Sequence, residues 1–324
     1  MFGKTSRIWL LAALLLVLVL AACGGTTAEP GSTEATDIGA PADTSTETTA
    51  EQPEATEETA VTESPDRKVA TFIWTQEFDT LNPIYTGMWF VTITFDLWNA
   101  PAWSFNSDDE PQPVLVTELP SEANGGITDD GRTITLNLRD DIKWSDGEPI
   151  TANDFVFTYQ MIMDPANIVQ STYPYDSIAD VTAADDHTVV MTFDEPFAPW
   201  LTLWRYLLPE HVLRPVYEAE GTLDAAEWNL APTVGAGPFV FEEWESGSFA
   251  RFVRNENYYN DPPLIDEIFI RFVPDDASQT AALQTGDGDL GTFIPYSDVP
   301  TLKDAGVNVI SVPSGYNEGW FFYF

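Results

Sequence analysis

A break in composition near residue 67 decides which part of this chain can fold. Residues 26–66 consist mainly of Thr, Glu, Ala, Pro, Ser, Asp and Gly, and they contain no Lys, Arg or aromatic residue. Ten of the 11 Trp residues lie beyond this stretch. A segment without large apolar side chains cannot bury enough surface to offset the entropy cost of folding. We therefore expect residues 23–66 to be a disordered acidic tether and residues 67–324 to contain the folded body.

The N-terminus resembles a targeting signal. A basic start precedes an unbroken apolar run from Ile8 to Ala22. This run is shorter than the ~20 apolar residues that a membrane-spanning helix needs. The basic start, short apolar run and small-residue exit are typical of a secretory signal peptide, which we predict over residues 1–22. The exit, Leu20-Ala21-Ala22-Cys23, is similar to the lipobox of bacterial lipoproteins. That similarity implies lipidation of Cys23 and a lipid-anchored protein on the extracytoplasmic face of the membrane; an ordinary signal with an incidental Cys is the alternative.

Charge and cysteine content exclude several classes of protein. The chain has 52 acidic and 13 basic side chains, a net charge of -39. Proteins that bind nucleic acid or anionic membrane surfaces match phosphates with Lys and Arg, so we expect no nucleic-acid partner. One Cys allows neither an internal disulfide framework nor a Cys-based zinc cluster. The acidic body favours cationic over anionic solutes at long range, although a saline or acidic habitat would also explain its charge.

Enzyme and metal-site motifs are missing from the sequence. His187 and His211 stand alone, without a nucleophile or metal-ligand pattern around them. The chain has no G-x-S-x-G, H-E-x-x-H or P-loop motif. We predict no catalytic residue, no metal and no cofactor. A surface glycan-processing lipoprotein remains an alternative, because glycoside hydrolysis needs only two carboxylates and aromatic platforms, and both are abundant.

Periodicity predicts a mixture of strands and helices. Alternating apolar residues between turn signals predict strands at 69–74, 133–138, 188–193, 237–244, 249–254 and 267–273. A capping box at 151–154 predicts a helix over 155–163, and helices are also predicted over 277–284 and 297–305. Strands with interspersed helices and long connections favour an α/β or α+β fold.

Ordered motifs in the body carry a family resemblance. Residues 129–157 read DDGRTITLNLRDDIKWSDGEPITANDFVF. Residues 235–239 read GAGPF, with RNENYY at 254–259, and residues 281–290 read AALQTGDGDL. An early LNP stands at 81–83. Together these motifs resemble the extracellular solute-binding proteins of family 5, the peptide-binding receptors of ABC importers.

The resemblance implies an α/β, two-lobed periplasmic-binding-protein-like fold. Residues 67–290 would form the first lobe, with an inserted subdomain at about 105–185. Residues 291–324 would form the hinge and the beginning of a second lobe that is mostly missing from this chain. The implied function is a monomeric, extracytoplasmic solute-binding lipoprotein that binds peptides or similar small solutes, without altering them, and delivers them to ABC transporter permease subunits. An oligosaccharide-binding receptor of the same fold is the alternative.

Ligand-binding candidates lie at predicted loops. Phe78, Asp79 and Asn82 follow the first strand, and Trp98, Asn99 and Trp103 occupy a region similar to a cleft loop of the family. Tyr316, Asn317 and Trp320 complete the set near the predicted crossing between lobes. For Trp98 and Trp103 a core position is as well supported as a ligand platform. Trp74, Trp144 and Trp244 are assigned to the core.

Overall fold

The structure, a computed structural model, describes residues 67–311. Cys23, Tyr316, Asn317 and Trp320 therefore lie outside the described residues, as do the predicted signal peptide and tether. The strands are Val69–Trp74 (β1), Trp103–Phe105 (β2), Pro111–Pro113 (β3), Ile127–Thr128 (β4), Thr133–Asn137 (β5), Asp180–Asp185 (β6), Thr188–Thr192 (β7), Phe239–Glu245 (β8), Phe249–Arg254 (β9), Glu267–Phe272 (β10) and Leu290–Gly291 (β11). The helices are Trp89–Trp98 (α1), Ala152–Met163 (α2), Glu210–Glu220 (α3), Asp276–Thr285 (α4) and Val299–Asp304 (α5).

The larger sheet has five strands in the order β11-β1-β10-β9-β8. Strand β1 runs parallel to both β10 and β11, whereas β9 runs antiparallel to both β8 and β10. Strands β8 and β9 form the hairpin predicted across Ser246-Gly247, where Gly247 has the positive φ of 77° that a side chain disfavours. In β10, Ile268, Ile270 and Phe272 share the buried face, as their spacing predicts.

A second sheet is wholly antiparallel, in the order β4-β5-β7-β6, and α2 packs against β6 and β7. The predicted capping box starts α2: the Thr151 hydroxyl accepts from the backbone N–H of Asn153, and the Asp154 carboxylate accepts from the backbone N–H of Thr151 at 2.8 Å. This sheet continues to Thr192, past the limit of about 185 that the resemblance gives for an inserted subdomain. The subdomain and lobe boundaries stay predictions.

Two helices differ from the sequence expectations. The prediction that Trp98 lies in a loop is wrong, because it is the last residue of α1. The sequence of α1, WFVTITFDLW, is rich in aromatic and β-branched residues that favour strands, and tertiary packing against β8 overrides that preference. Helix α3 carries Pro215 in its interior, a residue that normally argues against a helix.

The buried side chains form one continuous core that includes both sheets. Phe252 and Ile270 contribute from the larger sheet, and Leu136 and Met191 contribute from the smaller one. Trp74 and Trp144 are buried, as predicted, whereas Trp244 is only partly buried. Within the part of the chain that the structure describes, no helix is long and apolar enough to cross a membrane.

Candidate functional site

A recess of about 170 Å³ opens beside α1. Four segments surround it: the loop that precedes α1, the outward face of α1, the residues after α2 and the residues before α3. Its lining combines hydroxyl, amide and charged groups with aromatic rings, from Pro83, Ile84, Thr86, Thr92, Phe95, Asp96, Gln170, Ser171, Tyr173, Arg205 and Tyr206. A concave site with a few converging polar groups is the usual form of a small-molecule site, so this recess is the candidate functional site.

The loop before α1 is held by its own polar side chains. The Asp79 carboxylate accepts from the Thr86 hydroxyl at 2.7 Å and from the Thr80 backbone N–H at 2.9 Å. The Asn82 amide is fully buried and donates to the side-chain oxygen of Asn229 at 2.7 Å. The backbone N–H of Gln170 donates to the Ile84 carbonyl at 3.0 Å, which fastens the segment after α2 to this loop. These hydrogen bonds hold the loop before α1 and the segment after α2 together at the recess, whereas the Asp96, Tyr173 and Arg205 side chains are exposed.

One carboxylate and one guanidinium line the same recess. Asp96 lies near the end of α1, and Arg205 follows Trp204 in the segment before α3. Burial raises the pKa of Asp96, and the positive charge of Arg205 opposes this shift. Burial likewise raises the pKa of the neighbouring Tyr206 to about 12, so its hydroxyl is neutral at physiological pH. The recess thus offers both charge signs together with neutral polar groups.

The backbone conformation of Trp204 determines the position of the next residue, Arg205. Trp204 is fully buried and has a φ of 57°, a conformation that is costly for a large side chain. Its backbone N–H donates to the Tyr175 hydroxyl at 3.0 Å, and its ring packs edge-on against Phe155 and Tyr175. These contacts hold the unusual conformation in place and so position the residue that follows.

Exposed aromatic rings lie on the same side of α1. Trp89, Thr92 and Asp96 are spaced by three and four residues, so they share one helix face. Trp89 is 40% exposed, and the ring of Phe293 meets it edge-on at 5.6 Å between centroids. Phe293 itself is 57% exposed and has a φ of 59°. By helix geometry the aromatic pair begins about 10 Å along α1 from Asp96, near enough for one extended solute to contact both.

The structure places most of the sequence-predicted candidates in the core. Trp98 has no exposed surface, and its ring packs against Trp228 at 5.5 Å. Trp103 is buried, and its indole N–H donates to the Leu201 carbonyl at 2.7 Å. Asn99 is buried as well, and its side chain bonds both the N–H and the carbonyl of Leu207. These side chains could touch a solute only if the core opened.

Two of the three candidates that follow β1 are buried as well. Phe78 is buried between the rings of Trp244 and Phe272. Asn82 is fully buried behind the recess, and Asp79 alone of the six described candidates is exposed. Asp79 also lines a second, larger recess of about 570 Å³, on the side of the loop where Tyr85, Asp224 and Asn229 lie. Direct ligand contact by these residues stays a prediction, as it does for Tyr316, Asn317 and Trp320 outside the described residues.

Sequence reasoning missed the residues that line the recess, and also the exposed aromatic pair Trp89 and Phe293 beside it. The spacing of Trp89, Thr92 and Asp96 was a usable signal, but it becomes visible only once α1 is recognised as a helix. Arg205 offers no local signal, because its position depends on the buried Trp204 and on contacts with distant segments. Phe293 lies in a short stretch after β11 without any periodicity.

Comparison with known proteins gives the family and the fold. The sequence model of the bacterial extracellular solute-binding proteins, family 5 (middle part), matches residues 110–324. The chain is 34% identical to Protein XP55 of Streptomyces lividans over 203 residues, which covers 62% of this chain and 35% of that protein. It is 30% identical over 192 residues to the probable D,D-dipeptide-binding periplasmic protein DdpA of Escherichia coli, covering 58% of this chain and 36% of that protein.

Solved structures agree with this result. The oligopeptide-binding protein AppA of Bacillus subtilis, in complex with a nonapeptide, matches with a TM-score of 0.66 at 22% identity, over 73% of this chain and 46% of that one. The substrate-binding protein CtaP of Listeria monocytogenes matches with a TM-score of 0.63 at 27% identity, over 74% and 47%. The predicted α/β fold of two-lobed binding proteins is confirmed. The chain spans about a third of the length of the relatives it matches by sequence and under half of the solved chains.

Proposed function

This chain belongs to the bacterial extracellular solute-binding proteins of family 5, and from that premise we propose that it captures peptides or similar small solutes for an ABC importer. The observation that carries the proposal is the recess beside α1, a pre-formed concave site of mixed polarity on a solute-binding fold. Relatives carry the names D,D-dipeptide-binding and oligopeptide-binding protein. We extend to this chain only the shared class, short peptide-like solutes.

Capture in this proposal is reversible binding without chemistry. Arg205, Asp96 and the hydroxyl and amide groups around them orient the solute, while Trp89 and Phe293 offer exposed rings for its apolar parts. Among residues 67–311 no group of three His, Cys, Asp or Glu side chains is arranged to hold a metal ion. A binding protein of this kind works through the differential affinity of its conformations for the solute.

The cellular setting is part of the same proposal. Lipidation of Cys23 would hold the protein at the extracytoplasmic face of the membrane, and residues 23–66 would let the folded body reach the permease subunits. The protein would act as a monomer. Labelling with a radioactive fatty acid tests the anchor: the natural protein should incorporate label, whereas Cys23→Ser should not. Equal label in both forms, or no label in either, would refute lipidation at Cys23.

Isothermal titration calorimetry on the full chain tests the binding function. The probes are a series from dipeptides to pentapeptides and a matched series of oligosaccharides. We expect saturable binding of at least one peptide at one site per chain, and no heat from sugars. Binding of an oligosaccharide without any peptide would favour the sugar-receptor alternative. Turnover of the sugar would instead establish a glycan-processing enzyme and refute the proposal.

A further inference from the structure

We propose that the second recess, of about 570 Å³, is a docking surface for a basic segment of a partner protein, in which Lys or Arg side chains flank aliphatic ones. The second recess shares no lining residue with the recess beside α1, so this partner is distinct from the captured solute. Three features of the molecule support the assignment: exposed aliphatic side chains, segments that buried amides tie together, and a rim of carboxylates without ion pairs.

Two large aliphatic side chains are exposed at the second recess. Ile168, in the segment after α2, is 81% exposed, and Leu230, in the segment after α3, is 54% exposed. Both line the recess together with the small side chains of Ala225 and Ala226. Single exposed apolar residues are common on protein surfaces. Two that line one concavity offer apolar area that a partner can remove from water, which is the usual mark of an interaction site.

Two buried asparagines tie the segments of this recess together. The side-chain oxygen of Asn167 accepts from the backbone N–H of Leu223 at 2.7 Å, and its amide donates to the Met161 carbonyl at 2.8 Å. The side-chain oxygen of Asn229 accepts from the Asn82 amide at 2.7 Å, and its own amide donates to the Leu223 carbonyl at 2.7 Å. These bonds join the end of α2, the segment after α3 and the loop before α1. A surface whose backbone is tied in this way loses less conformational freedom on association than a loose one.

Three carboxylates border the aliphatic side chains. Asp79, Asp224 and Glu227 line the recess, and its lining contains no Lys, Arg or His. All three are exposed, and none of them forms an ion pair within residues 67–311. The Asp224 carboxylate accepts from the backbone N–H of Ile168 at 2.9 Å, so the charge and the aliphatic side chain lie side by side. A partner surface complementary to this recess therefore carries cationic groups around an apolar centre.

Charge separates a basic protein segment from the other possible occupants. Residues 24–66 of the same chain contain 11 acidic residues and no Lys or Arg, so the rim repels them. A second copy of the chain brings the same excess of acids, with a net charge of -39, and an anionic lipid surface is repelled for the same reason. A small cation alone would meet these carboxylates in water, where exposed ion pairs are weak. A basic segment with aliphatic side chains satisfies the rim and covers the apolar centre together.

Fluorescence anisotropy with the full chain tests the docking surface. The probe is a fluorescent peptide with both ends blocked, acetyl-KLAKLLK-amide. Two matched peptides separate its parts: KSAKSSK keeps the charge without the leucines, and ELAELLE keeps the leucines with the opposite charge. We expect the probe to bind at least about 10-fold more tightly than KSAKSSK, the difference that one well-buried anchor residue makes. ELAELLE should not bind.

Variants of the recess assign the apolar centre and the rim separately. Ile168→Ser and Leu230→Ser should each weaken the probe about 10-fold, whereas Leu264→Ser, at a side chain 84% exposed outside the recess, should bind as the natural protein does. Glu227→Gln should slow association and flatten the dependence of affinity on salt. Glu118→Gln, at an exposed carboxylate outside the recess, should leave both nearly unchanged. Unchanged thermal unfolding of each variant shows that a loss of affinity is not a loss of folding.

Four outcomes would overturn the docking surface. The probe does not bind, or KSAKSSK binds as tightly as the probe, which would reduce the attraction to net charge alone. Ile168→Ser and Leu230→Ser both bind the probe as tightly as the natural protein. Trp89→Ala weakens the probe while the recess variants do not, which would show that the peptide is held as a solute. Each of these results leaves the capture of solutes to be decided by the calorimetric titration with short peptides.

Discussion

Truncation of Trp98 to Ala separates a core role from a ligand-platform role. Trp98 closes α1 with no exposed surface and contacts the rings of Phe95 and Trp228. A buried aromatic side chain removes about 150–250 Å² from water, which at about 25 cal/mol per Å² gives an upper estimate of about 4–6 kcal/mol. Truncation of buried Phe or Trp to Ala costs about 3–5 kcal/mol. We therefore expect Trp98→Ala to lower the free energy of unfolding by about 3–5 kcal/mol, a large part of the ~5–15 kcal/mol that stabilises a typical protein.

Urea denaturation of the full chain, followed by circular dichroism, measures this loss. The matched control is Trp89→Ala, which removes the same side chain from the other end of the same helix, where it is 40% exposed. The control should lose about 1 kcal/mol or less. A Trp98→Ala variant that unfolds within 1 kcal/mol of the natural protein yet loses solute affinity would refute the core assignment and restore Trp98 as a ligand platform.

Three further predictions concern the scaffold and can be measured by the same denaturation assay. A Cβ added at Gly237 would lie 2.6 Å from the Leu97 carbonyl oxygen, so Gly237→Ala should cost about 1–3 kcal/mol; an unchanged midpoint would show that this contact relaxes freely. Burial raises the pKa of Asp154 from 3.8 to about 6, so the folded state binds this proton more tightly than the unfolded state. The protonated Asp154 therefore stabilises the folded state most below the unfolded pKa, and this stabilisation is lost as pH rises through about 6. Lowering the pH from 7 to 5 should add about 1 kcal/mol to the free energy of unfolding of the natural protein but not to that of Asp154→Asn. Parallel pH profiles of the two proteins would contradict the raised pKa. Arg251 pairs with the buried carboxylate of Glu267 at 3.0 Å, and Arg67 pairs with the same carboxylate at 2.8 Å. Because Arg67 still neutralises Glu267, Arg251→Met should cost about 1–3 kcal/mol, less than the ~3–5 kcal/mol of a buried charge left unpaired, and removal of Arg67 as well should cost more than the sum of the two single changes; additive losses would argue against a buried-charge penalty.

The strands and the capped helix were predictable because their signals are local. Strand β10 alternates buried and outward residues, and α2 begins at a capping box that four consecutive residues specify. Helix α1 was not predictable in this way, because its residues individually favour strands and only packing against β8 makes it a helix. The family motifs identified the fold because they form turns and helix caps, which a few consecutive residues specify.

The site was less predictable because its residues are brought together from distant parts of the chain. Trp89 and Trp98 look alike in sequence, yet Gly235 and Gly237 allow the chain to pack directly against the backbone of Trp98 and bury it. Arg205 and Asp96 line one recess only because the segment before α3 lies beside α1. No local sequence pattern predicts which Trp side chain is buried or which Arg side chain forms no ion pair.

As a solute receptor, the function that we propose, this protein would hold a solute and release it unchanged. Native mass spectrometry of the full chain, incubated with a mixture of short peptides and then denatured, tests it most directly. We expect a complex of one chain with one solute, and recovery of that solute at its original mass after denaturation. A chain that retains no solute, or one that returns a cleaved or otherwise altered product, would contradict the proposed receptor function.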